Sequence, residues 1–262
     1  MKDEGKNRYA LITGASSGIG WAYAQELAKR GWKLIIVSNE EAIHERAETL
    51  RKDYSIEVES LVRNLGTPQS ARELYDYCHE QGWEVTMLIN NAGVYHDMDI
   101  IDDSEAFTNL ILHLHVTTPA MLCFLFGKDM AERGHGYILN MCSITANIAG
   151  QRLGTYGSTK AFLANYTRSL HIELKQKGVK VTAVHPGAVD TGLYSIPAWV
   201  MKCGRCLGIV VSPEYLAKRG IRAVLRGRAK ITVPWLYSKI LLLLIALAPT
   251  CLLRLIRRLK LF

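Results

Sequence analysis

A glycine-rich turn, TGASSGIG, separates a short apolar segment at Tyr9–Thr13 from a stretch typical of a helix at 21–30, which Gly31 is expected to end. Glycine permits a tight turn and a close approach of the backbone to a ligand. The start of the following helix offers free N–H groups and the positive end of its dipole. The strand, turn and helix together therefore predict a site for the pyrophosphate of a dinucleotide.

Apolar strands alternate with helices along most of the 262 residues, which is enough for one α/β domain without requiring two. Further strands are predicted at 33–37, 56–61, 87–90, 136–141, 179–184 and 229–233, and helices at 41–52, 71–81, about 103–132, 155–176 and from 213 onward. This alternation predicts an α/β fold with a doubly wound parallel sheet that is covered by helices on both faces. The mixed segment 188–212 is expected to cover a substrate.

Tyr156 and Lys160 are four residues apart in a predicted helix, so their side chains share one face. A phenol has a reference pKa of about 10, and a neighbouring ammonium stabilises its phenolate form. With Ser143 upstream, the pair indicates proton transfer beside a carbonyl or an alcohol. Taken alone, the same spacing is also typical of a solvated helical face.

Five motifs in register resemble the short-chain dehydrogenase/reductase family, within it the subgroup of hydroxysteroid dehydrogenases and long-chain or sphingoid ketone reductases. They are TGASSGIG, NNAG at 90–93, Ser143, the Tyr156 and Lys160 pair, and PGAVDT at 186–191. The resemblance covers 7–235. It implies a Rossmann-type sheet of about seven strands, one catalytic domain at 1–235 with 188–212 as its lid, NAD(P) as cofactor, and a homodimer or homotetramer.

The resemblance also implies roles for individual residues. Ser143 would bind the substrate oxygen, Tyr156 would exchange its proton, and Lys160 would hold the nicotinamide ribose and lower the pKa of Tyr156. The implied cofactor-binding residues are Gly14, Ser16, Ser17, Gly18, Ile19, Gly20, Ser38, Asn39, Asn64, Leu65, Asn91, Ala92, Gly93, Tyr156, Lys160, Pro186, Gly187, Val189 and Thr191. The candidate substrate-binding residues are Ser143, Tyr156, Leu193, Tyr194 and Trp199.

Several positions depart from the family pattern. Ser38 and Asn39 stand where an Asp would favour NAD or an Arg would favour NADP, so the sequence leaves the cofactor preference open. Asn64 replaces the usual Asp near the adenine. His115 stands where an Asn commonly organises a water-linked proton relay. We expect the relay to persist with an altered pH dependence, and the alternative is a damaged active site.

The C-terminal segment 236–262 differs in character from the domain before it. It combines an apolar run at 240–248, interrupted by Pro249, with a basic amphipathic stretch at 252–262, and the whole chain carries a net charge of +8. The run is shorter than the roughly 20 residues of a bilayer span. We expect this tail to lie on a membrane surface. The alternative is that it packs on its own protein or on a partner subunit.

Other classes of function find less support. No nucleic-acid motif accompanies the basic residues, so no nucleic-acid partner is predicted. The scattered cysteines and the N-terminus without a secretory signal predict a cytoplasmic protein, placed by its tail on the inner face of the membrane. Cys203 and Cys206 form a CxxC with no further ligands nearby, so no metal is predicted.

These features predict an NAD(P)-dependent oxidoreductase that acts on the carbonyl or alcohol carbon of a hydrophobic substrate, a lipid or a steroid. The apolar residues of 188–212 and the membrane-surface tail favour such a substrate. A small soluble ketone or sugar is the competing substrate class. A catalytically silent, dinucleotide-binding membrane scaffold is the competing function.

Overall fold

The computed structural model describes residues 8–96, 98–148, 153–191, 202, 204–205, 208–235 and 237–238. Its strands are β1 (Arg8–Thr13), β2 (Lys33–Ser38), β3 (Val58–Val62), β4 (Glu84–Asn90), β5 (Gly136–Met141), β6 (Val179–Pro186), β7 (Ala188–Val189), β8 (Val210–Val211) and β9 (Lys230–Val233). Its α-helices are α1 (Gly18–Ala28), α2 (Ala42–Tyr54), α3 (Ser70–Glu80), α4 (Glu105–Leu112), α5 (Thr118–Arg133), α6 (Gly154–Lys175) and α7 (Pro213–Leu225).

Seven strands form one parallel sheet in the order β3-β2-β1-β4-β5-β6-β9. Leu11, Ile35 and Leu88 in its central strands are fully buried, as expected when helices cover both faces of a parallel sheet. The prediction of a doubly wound α/β fold with about seven strands is confirmed.

Alternate residues of each strand pack into two separate hydrophobic cores. Ala10 and Ile12 belong to the core beneath α1, α2 and α7, whereas Tyr9 and Leu11 belong to the core beneath α3, α5 and α6. Successive side chains of a strand point to opposite faces, so one continuous apolar run supplies both layers. This explains why the strands are apolar throughout rather than alternating.

The chain reverses its direction across the sheet between β3 and β4, because β4 returns to the free side of β1. In an open α/β sheet, a crevice forms at the carboxyl ends of two neighbouring strands when the connections that follow them run in opposite directions. The glycine-rich turn follows β1 and the NNAG motif follows β4. Both motifs therefore meet at the crevice.

The single long helix predicted over about 103–132 is divided. A π-helical turn at His113–Thr117 separates α4 from α5, a difference that apolar periodicity does not reveal. Such turns insert one extra residue and often occur at functional sites. The helical stretch Glu105–Arg133 is long and apolar enough to cross a membrane by composition, but 50% of its most apolar window is buried inside the protein, as in a core helix.

The ends of segment 188–212 are joined by a small parallel sheet in which Ala188 pairs with Val210 and Val189 with Val211. The candidate substrate residues Leu193, Tyr194 and Trp199 lie outside the described residues, as do Cys203, Cys206 and nearly all of 236–262. The domain boundary at 235, the lid and the membrane-surface tail remain predictions.

Candidate active site

The glycine-rich turn is too tight for side chains at two of its glycines. A Cβ on Gly20 would lie 1.9 Å from the carbonyl oxygen of Gly14, and a Cβ on Gly14, whose φ is +65°, would lie 2.7 Å from Cα of Ala92. Ser17, the N-cap of α1, makes no side-chain capping hydrogen bond. The turn therefore presents a glycine cradle and an uncapped helix start, which suit a pyrophosphate.

Asn91 and Thr13 hold this turn against β4. The Asn91 amide donates to the carbonyl oxygens of Thr13 and Gly14, both at 3.0 Å. The Thr13 hydroxyl accepts from the backbone N–H groups of Asn91 and Ala92, also at 3.0 Å. The NNAG motif thus acts as a scaffold that fixes the crevice between β1 and β4.

One cavity of about 510 Å³ runs along the carboxyl ends of these strands. Every implied cofactor-binding residue except Gly20 lines it, and so do Ser143 and His115. Gly20 instead packs on the Gly14 carbonyl. The fold therefore brings together the sequence motifs that were singled out separately, in one cavity of the size of small-molecule binding sites.

Tyr156 and Lys160 stand side by side at the start of α6 and are nearly buried, with 8% and 5% exposure. The Lys160 ammonium lies 5.6 Å from the centroid of the Tyr156 ring and donates to the Met141 carbonyl at 3.0 Å. Burial lowers the pKa of Lys160 to about 8, so the ammonium persists at neutral pH. The pair is thus a buried, fixed arrangement and not a solvated helical face.

Ser143 follows β5 and is 4% exposed. Its hydroxyl accepts from the Thr145 N–H at 3.1 Å, and its backbone carbonyl accepts from Nδ1–H of His185 at 2.9 Å. His185 thus ties Ser143 to the end of β6. Burial, reinforced by Lys230, lowers the pKa of His185 to about 4, so its ring is neutral.

His115 is 1% exposed and uses both of its ring nitrogens. Its Nε2 accepts from the Val94 N–H at 2.9 Å, and Nδ1 lies 3.1 Å from the Thr159 hydroxyl oxygen. That hydroxyl donates to the Tyr156 carbonyl at 2.8 Å. Only a neutral ring protonated at Nδ1 satisfies all three contacts. Burial and Lys160 lower the pKa of His115 well below its usual value, in agreement with a neutral ring.

These two histidines predict a loss of stability in acid. Unfolded histidine titrates near 6.5, whereas His185 resists protonation down to a pKa of about 4 and His115 also has a lowered pKa. The unfolded state thus binds more protons below pH 6.5, so the free energy of unfolding should fall from pH 6.5 toward 4 by up to about 1.4 kcal/mol per pH unit for each group. Urea titrations across this range measure the slope.

A variant of His185 assigns its share of that slope. His185→Gln should reduce the slope and leave the part that His115 contributes. An identical slope in His185→Gln and in the unmodified protein would show that His185 is not held neutral in the fold.

Motif spacing did not single out several residues of this site. Thr159 and His185 position the residues around Tyr156 and Ser143, while Arg63 and Val94 line the cavity. Two of these contacts join distant parts of the chain, because Thr159 meets His115 of the π-helical turn and His185 of β6 meets Ser143 after β5. Asn64, expected near the adenine, uses its side-chain oxygen to accept from the Gly66 N–H at 2.9 Å.

The family model of the short chain dehydrogenases matches residues 8–196. A very-long-chain 3-oxoacyl-CoA reductase from Anas platyrhynchos is 32% identical over 200 residues, covering 73% of this chain and 63% of that protein. The inactive hydroxysteroid dehydrogenase-like protein 1 of Homo sapiens is 29% identical over 224 residues, covering 82% and 64%. The chain thus spans just under two thirds of the length of these curated relatives.

Solved structures show similarity to the same family. A short-chain dehydrogenase from Sphingobium yanoikuyae in complex with NADPH is 27% identical, with a TM-score of 0.77 and coverage of 87% of this chain and 88% of that one. The bulky-bulky ketone specific alcohol dehydrogenase from Comamonas testosteroni is 27% identical, with a TM-score of 0.76 and coverage of 87% and 86%. The prediction of NAD(P) as cofactor is confirmed, without resolving which of the two. With its fold, its crevice and the matched family model in agreement, this chain belongs to the short-chain dehydrogenase/reductase family.

Proposed function

We propose that this protein is an NAD(P)-dependent oxidoreductase that transfers a hydride between nicotinamide and the carbonyl or alcohol carbon of a hydrophobic lipid or steroid substrate. The observation that carries the proposal is the buried pair of Tyr156 and Lys160, which faces the same cavity as Ser143. Burying an ammonium group costs free energy. An ammonium beside a phenol stabilises the phenolate form that proton transfer leaves behind.

The residues divide the work of the reaction. When bound, a nicotinamide cofactor would supply or accept the hydride. In reduction, the Ser143 hydroxyl would bind the substrate oxygen and the Tyr156 phenol would give that oxygen a proton. Lys160, anchored on the Met141 carbonyl, stabilises the phenolate that remains. In oxidation, the same groups act in reverse, and Tyr156 accepts the proton of the alcohol.

The relatives favour a hydrophobic substrate. The relatives named above are called a very-long-chain 3-oxoacyl-CoA reductase and a hydroxysteroid dehydrogenase-like protein, and one structural neighbour is called specific for bulky ketones. These names support a long-chain acyl or steroid carbonyl over a small sugar.

The test is the oxidation of NADPH and NADH by the full chain with three substrates: a long-chain 3-oxoacyl thioester, a steroid ketone and a small soluble ketone. We expect turnover with one of the hydrophobic substrates, with kcat/KM at least about tenfold above that for the small ketone, because each buried methylene contributes about 0.8 kcal/mol. Preferential turnover of the small ketone would contradict the proposed substrate class.

A silent dinucleotide-binding scaffold is the second candidate, because the human relative is named inactive. Binding of the cofactor without turnover of any substrate in the panel would favour that function.

We also propose that the protein forms a homodimer or homotetramer in the cytoplasm, and that 236–262 lies on the inner face of the membrane.

A further inference from the structure

We propose that the outer face of α7 docks on a bilayer of anionic phospholipids, with exposed apolar side chains near the amino end of the helix entering the headgroup layer. Most of this surface lies on the folded domain, and all of it precedes the apolar run at 240–248. The inference goes beyond the proposed function, because binding to a membrane requires no turnover.

One side of α7 is basic and faces away from the protein. Four exposed residues recur at intervals of four, three and four, so they share one side of the helix: Tyr215, Arg219, Arg222 and Arg226. On the other side, Leu216, Ile221 and Val224 are fully buried in the core. This packing fixes the direction in which the basic side points. We call these four exposed residues the basic face.

The basic face lies in a region with a large excess of cations. Residues 213–230 contain six basic side chains and one acidic side chain, Glu214. In the part of the chain that the structure describes, five of these cations form no ion pair: Lys218, Arg219, Arg222, Arg226 and Arg228. The solvated side of α2 is different, because it mixes both signs and pairs Arg51 with Glu48. An unbalanced basic surface attracts an anionic one.

An exposed apolar patch adjoins the amino end of α7. Its members Ile209, Trp235 and Tyr237 are 41%, 62% and 42% exposed. A Cβ on Gly208 would lie 3.6 Å from Cε2 of Tyr237, so the two segments are neighbours. Ile209 precedes the first residue of α7 by four residues, a span of at most about 14 Å. Because Trp and Tyr are enriched where a membrane meets water, aromatics beside cations favour a lipid surface over nucleic acid.

The apolar patch also adjoins the cavity. Gly187 lines the cavity, and a Cβ on it would lie 3.3 Å from both Cδ of Pro234 and Oγ of Ser238. Trp235 and Tyr237 lie between those two residues in the chain. A docked protein would therefore hold this part of the cavity close to the bilayer, which agrees with the hydrophobic substrate proposed above.

The test measures binding of the full chain to vesicles of phosphatidylcholine, with and without phosphatidylserine, by co-sedimentation. We expect binding to the mixed vesicles that weakens as salt is added, because salt screens the attraction. The double variant Arg219→Gln with Arg222→Gln should weaken this binding by about thirtyfold. Each basic residue near an anionic membrane contributes about 1 kcal/mol, and about 1.4 kcal/mol is a factor of ten.

Lys128→Gln with Arg168→Gln is the matched control. It removes the same charge from exposed positions on α5 and α6, which cover the other face of the sheet, and should leave binding unchanged. Equal weakening in the two double variants would overturn the docking surface. Unchanged binding in the Arg219 and Arg222 double variant would also overturn it, because 240–262 would then account for attachment.

Trp235 gives a second readout that does not depend on the arginine variants. Bromine-labelled phosphatidylcholine quenches tryptophan fluorescence at short range, and 236–262 contains no tryptophan. We expect quenching in the unmodified protein and its loss in Trp235→Phe, which keeps an aromatic ring. Quenching that persists in this variant would overturn the entry of the apolar patch into the bilayer.

Two further comparisons complete the test. Tighter binding to a DNA or RNA oligonucleotide than to the mixed vesicles, lost in the arginine double variant, would overturn the choice of lipid as partner. Neither vesicle readout involves turnover, so failure of the proposed enzymatic function would leave both unchanged. Failure of docking would likewise leave the turnover of dissolved substrates unchanged.

Discussion

Tyr156→Phe is expected to lower kcat by about 1,000-fold while the dissociation constant of the cofactor changes by less than about threefold. The variant removes only the phenolic hydroxyl, so the ring keeps its packing against Tyr95, 5.3 Å away between centroids, and against His115 at 5.6 Å. The Lys160 ammonium remains above the ring. Steady-state kinetics with the best substrate of the panel, together with calorimetry of cofactor binding, measure both quantities.

Tyr166→Phe provides the control on the same helix. The Tyr166 hydroxyl donates to the Ala120 carbonyl at 3.1 Å, and its ring stacks on Phe162. Loss of that hydroxyl should cost about 1 kcal/mol of stability and leave kcat unchanged. If Tyr156→Phe retained the full kcat, the phenol would not be the proton donor, whichever substrate is used.

Local motifs were sufficient to predict the sheet and the position of the crevice. The turn from Gly14 to Gly20 requires glycine, because a Cβ on Gly20 would clash with a carbonyl oxygen. The glycines themselves are visible in the sequence. The pairing of Tyr156 with Lys160 needs only the period of one helix. Both are short-range features, which is why they could be read without the fold.

Contacts between distant elements could not be predicted in this way. The π-helical turn that carries His115 shifts the helical register, so an α-helical period misplaces the side chain. Thr159 is forty-four residues from His115 along the chain, and His185 is forty-two from Ser143. Such pairings depend on which strands become neighbours. The relay role expected at His115 likewise depends on contacts of its two nitrogens that only the fold reveals.

His115→Leu is expected to lower kcat by about 100-fold, because a displacement of about 1 Å in a catalytic group has effects of that size. We propose that His115 positions Tyr156 and does not exchange protons with solvent. The Val94 N–H occupies its Nε2, and the Thr159 hydroxyl faces its Nδ1 and in turn donates to the Tyr156 backbone. A ring held by both nitrogens keeps one tautomer, whereas a relay must alternate between two.

His115→Asn separates positioning from relay, since Asn is the residue that the family resemblance associates with the relay. A relay through this position predicts that Asn preserves kcat and shifts its pH profile. Positioning predicts a loss similar to that of Leu, because the shorter amide cannot bridge Val94 and Thr159, and a pH profile of unchanged shape.

Thr159 tests whether the effect of His115 passes through α6. Thr159→Val removes the hydroxyl between Nδ1 of His115 and the Tyr156 carbonyl and should lower kcat by about tenfold, the cost of one buried hydrogen bond, with KM nearly unchanged. Thr159→Ser keeps the hydroxyl and should restore kcat, a rescue that general loosening of the helix would not produce. Full activity in Thr159→Val would mean that His115 acts on Tyr156 by direct ring contact, since the two rings are 5.6 Å apart. The orientation of the phenol would then depend on packing and not on the hydrogen-bonded chain.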